Sequence, residues 1–225
     1  MTDEPSASLP RPRDRADVIG SIAATRIVPV VTIDDADDAP RIVAALVSGG
    51  LSVVEITLRT PAGIEAVRRA VAEVPEAIVG VGSVTDAAAA TAAIDAGATF
   101  IVSPGIDDGV ITTARDQGVP VIPGIATATE LMRALRLGVD VVKLFPAGVV
   151  GGVDMIDALS ALWPEVRFMP TGGISPANLR SYLARPQVLA VGGSWIASKA
   201  AVASGDWTSI ATAAAAALDL ARESA

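Results

Sequence analysis

Lys143 lies in Val141-Val142-Lys143-Leu144-Phe145-Pro146, a run that otherwise has the composition of a buried strand. An ammonium without a partner is costly to bury, by several kcal/mol. Two readings of it stand. In one, the lysine snorkels at a strand end, with its stem buried and its head in water. In the other it is a nucleophile. Burial favours the neutral form of a lysine, and a free amine attacks a ketone to form an imine. Once protonated, the imine withdraws electrons and lets the neighbouring carbon–carbon bond break. Arginine cannot do this, because its guanidinium stays charged. Only two of the 17 Lys and Arg residues are lysines, Lys143 and Lys199. Lys199, in Ser198-Lys199-Ala200, has no strand around it and is expected to be solvated.

A carboxylate is the natural companion of such an amine. Glu55 sits in Val53-Val54-Glu55-Ile56-Thr57-Leu58-Arg59. Alternate strand residues share a face, so Glu55 and Thr57 point the same way, and Arg59 with them if the strand persists. One reading is a structural Glu55–Arg59 ion pair; the other makes Glu55 a proton shuttle and Arg59 a clamp. A planar guanidinium binds both oxygens of a keto acid's carboxylate. Gly80-Val81-Gly82-Ser83-Val84 lacks the third glycine of a dinucleotide fingerprint. Its small residues would let a ligand approach the backbone while Ser83 offers a hydroxyl; a tight turn explains them as well. Paired glycines recur in Thr171-Gly172-Gly173-Ile174 and in Gly192-Gly193-Ser194-Trp195. Amides at such strand ends suit a phosphate, with ordinary loop chemistry as the alternative.

Composition removes several other chemistries. The chain has neither histidine nor cysteine, so imidazole triads, His-ligated metals, thiolates and disulfides are out, and no metal site is expected. The run Asp34-Asp35-Ala36-Asp37-Asp38 lacks the glycine and distal glutamate of a calcium loop and reads as helix capping. A formal net charge of −8 argues against nucleic acid or an anionic membrane surface as partner. No apolar run approaches the roughly 20 residues that span a bilayer. A cytoplasmic location is the default expectation. An anionic metabolite remains possible, given a local nest of donors.

The elements that must position these residues alternate. Eight short apolar runs, at 27–33, 53–58, 77–84, 100–104, 119–125, 141–145, 167–171 and 188–193, are separated by Ala/Leu/Arg-rich helical stretches such as 39–48, 61–73, 86–96 and 129–137. Glycines 49, 50, 97, 118 and 138 fall where helices should stop. Nearly continuous apolar runs fit parallel strands buried on both faces. Extra helices are expected at 15–24 and 207–221. The expected fold is α/β, a single (β/α)8 TIM barrel over 14–225, with a doubly wound open sheet as the other architecture. Residues 1–13, polar and rich in Pro and Ser, are expected to be a disordered tail. In a barrel, chemistry gathers at the C-terminal ends of the strands.

With these segments in view, the chain resembles the family of 2-keto-3-deoxy-6-phosphogluconate aldolases, which often also act as 4-hydroxy-2-oxoglutarate aldolases. The resemblance runs from about Ile19 to Ala217. It rests on the order and spacing of Val28-Pro29-Val30, Glu55-Ile56-Thr57-Leu58-Arg59-Thr60, Val79-Gly80-Val81-Gly82-Ser83-Val84, Ser103-Pro104-Gly105, Pro123-Gly124-Ile125, Lys143-Leu144-Phe145-Pro146-Ala147, Thr171-Gly172-Gly173-Ile174-Ser175-Pro176 and Gly192-Gly193-Ser194-Trp195. It implies that Lys143 forms the Schiff base and that Glu55 accepts a proton through a bound water. Arg59 and Ser83 would hold the pyruvyl carboxylate, with Thr171 nearby and Phe145 against the substrate. Gly172, Gly173, Gly193 and Ser194 would hold the phosphate. It also implies a homotrimer of TIM barrels that needs no metal or organic cofactor. Ser83 stands where a threonine is expected, Gly148 where some members carry glutamate, and the first strand lacks an arginine found in some relatives.

The expected reaction is cleavage of 2-dehydro-3-deoxy-6-phosphogluconate, a phosphorylated keto acid, to pyruvate and glyceraldehyde 3-phosphate. The galactonate epimer and phosphate-free 4-hydroxy-2-oxoglutarate are the nearest other substrates. A sugar-phosphate isomerase or synthase would share the phosphate site without needing the amine, and a catalytically silent binding barrel would need neither.

Overall fold

The computed structural model describes residues 15–223, and the expected tail at 1–13 lies outside them. Its strands are β1 (Ile27–Val31), β2 (Val53–Thr57), β3 (Ile78–Gly82), β4 (Ile101–Val102), β5 (Val121–Ile122), β6 (Gly124–Ile125), β7 (Val141–Leu144), β8 (Arg167–Phe168) and β9 (Val191–Gly193). The α-helices are α1 (Arg15–Thr25), α2 (Ala39–Ser48), α3 (Gly63–Glu73), α4 (Ala87–Asp95), α5 (Asp108–Asp116), α6 (Ala128–Arg136), α7 (Gly152–Ser160), α8 (Leu179–Leu183), α9 (Lys199–Ser204) and α10 (Trp207–Arg222). Each of the eight apolar runs contains strand pairing, although the hydrogen-bonded portions are shorter than the runs themselves. α9, which periodicity does not announce, starts where Ser198 caps it, and Lys199 is exposed at its first position.

The fold is α/β with a curled parallel sheet. One sheet has the order β5-β4-β3-β2-β1-β9 and a second the order β6-β7-β8. Within the first, strands 1 to 5 follow chain order without the reversal of a doubly wound sheet. The expected fifth strand is divided into β5 and β6 by Pro123, which has no N–H for a ladder. Its carbonyl still accepts from Lys143 N at 2.8 Å. Beyond β8, single parallel bridges join Phe168 to Val188 and Thr171 to Gly192.

Period-two alternation sorts the strand side chains into two cores. Ile27, Val31, Val54, Ile56, Val79 and Val81 face the layer of helices. Val28, Val53, Ile78, Phe100, Ile122, Val141, Met169 and Ala190 form a separate inner cluster, joined by Val18 and Ile22 of α1. The extra N-terminal helix thus packs its apolar residues into the inner face. Helix ends follow the expected chemistry. Thr127 caps α6 by accepting from Glu130 N, while Glu130 Oε2 accepts from the Thr127 hydroxyl and from N of Ala126, the residue before the cap. Gly50, Gly97, Gly118 and Gly138 stop helices with φ of 91°, 98°, 70° and 78°. The acidic run is a cap too: Asp35 accepts from Asp37 N at the start of a 3-10 turn over Ala36–Asp38.

Candidate active site

Strand parity carries the chemistry to one place. Val53, Val141 and Met169 belong to the inner cluster. The residues two positions further along are Glu55, Lys143 and Thr171, and so they face the same interior, one layer nearer the C-terminal ends of the strands. All three are buried. Lys143 Nζ lies 3.3 Å from Glu55 Oε1, with side-chain exposures of 5% and 1%. The other oxygen, Oε2, is buried and has no hydrogen-bond partner among the described residues. A buried acceptor left open in this way marks where a hydroxyl or a water would be bound. Phe145, two residues beyond Lys143, places its ring centroid 5.1 Å from Nζ, within cation–π range.

Glu55 therefore pairs with Lys143, which removes the structural Glu55–Arg59 ion pair as an account of this carboxylate. β2 ends at Thr57, and Arg59 lies in the turn that follows. Its Nε donates to Ser83 Oγ at 3.2 Å. Thr57 is committed to β1, with its hydroxyl 2.9 Å from that of Thr32 and 3.2 Å from the Val31 carbonyl oxygen. Ser83 adopts φ of 62°, a left-handed conformation that non-glycine residues rarely take. Strain of this kind persists where the surroundings demand it.

The glycines serve a purpose that a strand pattern does not disclose. A Cβ on Gly80 would lie 2.2 Å from the Phe100 ring, and one on Gly82 would lie 1.9 Å from Glu55 Oε1. The space they leave is filled by the Phe100 and Glu55 side chains. Gly192 does the same for Thr171, whose Oγ1 would be 2.2 Å from an added Cβ. Gly124, in register with Lys143, admits the carbonyl of Pro104, whose oxygen would be 2.2 Å from a Cβ there. Sequence reading assigned no role to Pro104 or Gly124. A glycine inside an apolar strand run was the available signal, since it marks a close approach.

The two glycine pairs end up side by side through the Thr171–Gly192 bridge. Gly172 and Gly173 have φ of 93° and 78°. Gly148 N donates to Gly172 O at 2.9 Å, and Asn178 Nδ2 donates to Gly173 O at 2.9 Å. Gly193 is buried under the Trp195 ring, and Ser194 is exposed beside it. Among the described residues no group of three or more His, Cys, Asp or Glu side chains is placed to hold a metal ion. Among them also, no helix is long and apolar enough to cross a membrane.

A family model described as KDPG and KHG aldolase matches residues 18–213. The chain belongs to this aldolase family. It is 47% identical over 185 residues to the 2-dehydro-3-deoxy-phosphogluconate aldolase of Pseudomonas aeruginosa, covering 82% of this chain and 84% of that one. To the KHG/KDPG aldolase of Escherichia coli K12 it is 43% identical over 184 residues, covering 82% and 86%. Among solved structures, the KDPG aldolase of Legionella pneumophila, with pyruvate captured at low pH as a covalent carbinolamine, superposes with a TM-score of 0.86. The identity there is 37%, over 88% of this chain and 97% of that one. Aldolases are carbon–carbon lyases, so this family member is an enzyme, and its buried lysine–carboxylate pair is the arrangement to be explained.

Proposed function

We propose that this aldolase is of the Schiff-base class and cleaves 2-dehydro-3-deoxy-6-phosphogluconate to pyruvate and glyceraldehyde 3-phosphate. The observation that carries the reading is the buried contact between Lys143 Nζ and Glu55 Oε1. The Lys143 amine adds to the C2 ketone, and the carbinolamine loses water to give a protonated imine. Glu55, whose buried Oε2 is open to a donor, takes the C4 hydroxyl proton, directly or through a water. The C3–C4 electron pair then moves to C3, releasing glyceraldehyde 3-phosphate and leaving an enamine on Lys143. Glu55 returns the proton to C3, and water hydrolyses the imine to free pyruvate and the amine. No metal or organic cofactor enters these steps.

Around that pair, we assign the substrate carboxylate to Arg59 and Ser83, already joined by a hydrogen bond. Thr171 and Phe145 line the reacting carbons. The phosphate is assigned to Gly172, Gly173, Gly193 and Ser194, because the Thr171–Gly192 bridge sets these two strand-end segments side by side and their small residues let an anion approach backbone amides. The architecture we propose is a closed (β/α)8 barrel. Pro123 joins β5 to β6 on one side, and the Phe168–Val188 and Thr171–Gly192 bridges lead to β9 and β1 on the other. The homotrimer implied by the family resemblance is retained as a proposal for sedimentation analysis.

The deciding experiment treats the protein with pyruvate and borohydride, then maps the adduct by peptide mass. The Lys143 peptide should carry the reduced pyruvyl group, and an unmodified Lys143 peptide rejects the mechanism. Coupled assays with the gluconate and galactonate epimers and with 4-hydroxy-2-oxoglutarate rank the substrates. Ser83→Gly separates binding from folding. Release of the left-handed strain, set against glycine's larger unfolded-state entropy, should leave stability equal or raised by up to about 1 kcal/mol. KM for the keto acid should nevertheless rise several-fold, because Arg59 loses its acceptor. Denaturant unfolding and steady-state kinetics read the two effects apart.

A further inference from the structure

We infer that Gly82, the last residue of β3, is a positioning residue that seats the Glu55 carboxylate against Lys143. The inference rests on the aldolase reading above and adds a residue to it. A Cβ on Gly82 would lie 1.9 Å from Glu55 Oε1, 2.6 Å from its Cδ and 2.7 Å from its Cγ. These distances are shorter than non-bonded atoms allow, so Glu55 occupies the volume that any other residue at 82 would fill. Parity explains the encounter. Ile78 and Val53 both belong to the inner cluster, and Gly82 and Glu55 lie an even number of residues beyond them on paired parallel strands. The oxygen closest to the missing Cβ is Oε1, which is also the one in contact with Lys143 Nζ. Space at Gly82 and the lysine–carboxylate contact are therefore one geometric fact.

Conformation does not demand this glycine. Gly82 is absent from the positive-φ glycines, so an alanine can adopt its backbone. The three nearest obstacles to a methyl group all belong to the flexible Glu55 side chain. A methyl group at 82 is thus accommodated by displacing the carboxylate, with the strand left in place. Misplacing a reacting group by about 1 Å is enough to lower a rate by roughly 10²-fold.

The test compares full-length wild type, G82A, E55Q and E55Q/G82A on 2-dehydro-3-deoxy-6-phosphogluconate. G82A should unfold within a few degrees of wild type, lose roughly 10²-fold in kcat and keep KM within about three-fold. In the E55Q background the same change should alter kcat by less than about two-fold, because its effect passes through the carboxylate. A purely structural glycine would instead lower both backgrounds by the same factor, and that result overturns the inference, as does a G82A enzyme with the wild-type kcat. If G82A does not fold, E55A/G82A, in which the methyl group enters vacated space, should be as stable as E55A alone; a double variant markedly less stable than E55A also overturns the inference. An inactive wild type removes the aldolase reading and this inference with it, whereas an active wild type beside an unaffected G82A removes this inference alone.

Discussion

Lys143→Arg is expected to lower kcat/KM by at least about 10⁴-fold, more than 5 kcal/mol of barrier, and to abolish borohydride trapping of pyruvate. The size follows from what is lost. Without an amine no imine forms, and nothing else in the site accepts the electron pair released from the breaking C3–C4 bond. Arginine is the informative replacement because it keeps a cation beside Glu55. Methionine would leave the carboxylate buried without its counter-ion, and breaking a buried pair from one side destabilises by about 3–5 kcal/mol. Loss of fold would then be confused with loss of chemistry. Circular dichroism and thermal unfolding should show the arginine variant folded. Turnover at the native rate by that variant would remove the covalent mechanism.

The second large effect is expected of Glu55→Gln. An amide matches the carboxylate in shape but cannot accept a proton, so kcat should fall by about 10²–10⁴-fold, the usual range for a positioned general base. Pyruvate should still be trapped on Lys143, because the amine and its route to the ketone remain. Trapping retained while turnover is lost distinguishes a proton carrier from a residue needed to form the imine. If Glu55→Gln turns over normally, Glu55 is only the counter-ion of the lysine, and the hydroxyl proton must leave by another route. Single-turnover measurements with the phosphorylated keto acid place the loss at the cleavage step or elsewhere.

Both residues could be singled out before any fold was known, for a local reason. A charged side chain within an apolar run is costly unless it is paired or used, and the Lys143 and Glu55 runs each raise that question. The glycine pairs at 172–173 and 192–193 were equally visible as strand-end turns. The use made of Gly80, Gly82, Gly124 and Gly192 was not, because a missing side chain does not say what fills the gap. The occupants are Phe100, Glu55, the Pro104 carbonyl and Thr171, and each is brought in by a neighbouring run of the sheet. Pro123 offered a partial signal: a residue without an N–H interrupts a ladder, yet where the pairing passes from β4 to β7 depends on both neighbours.

What the chain determined on its own is therefore what covalent geometry imposes over a few residues. The alternation of runs and helices, the helix stops, and the shared face of Val141 with Lys143 and of Val53 with Glu55 follow from a two-residue strand period and the 3.6-residue helical period. Tertiary structure decided which faces meet. Glu55 finds an amine 88 residues away instead of the guanidinium four residues on, because β2 ends at Thr57 and the curled sheet turns β7 towards it. Strand parity says which way a side chain points; only the curl of the sheet brings another side chain within 3.3 Å of it.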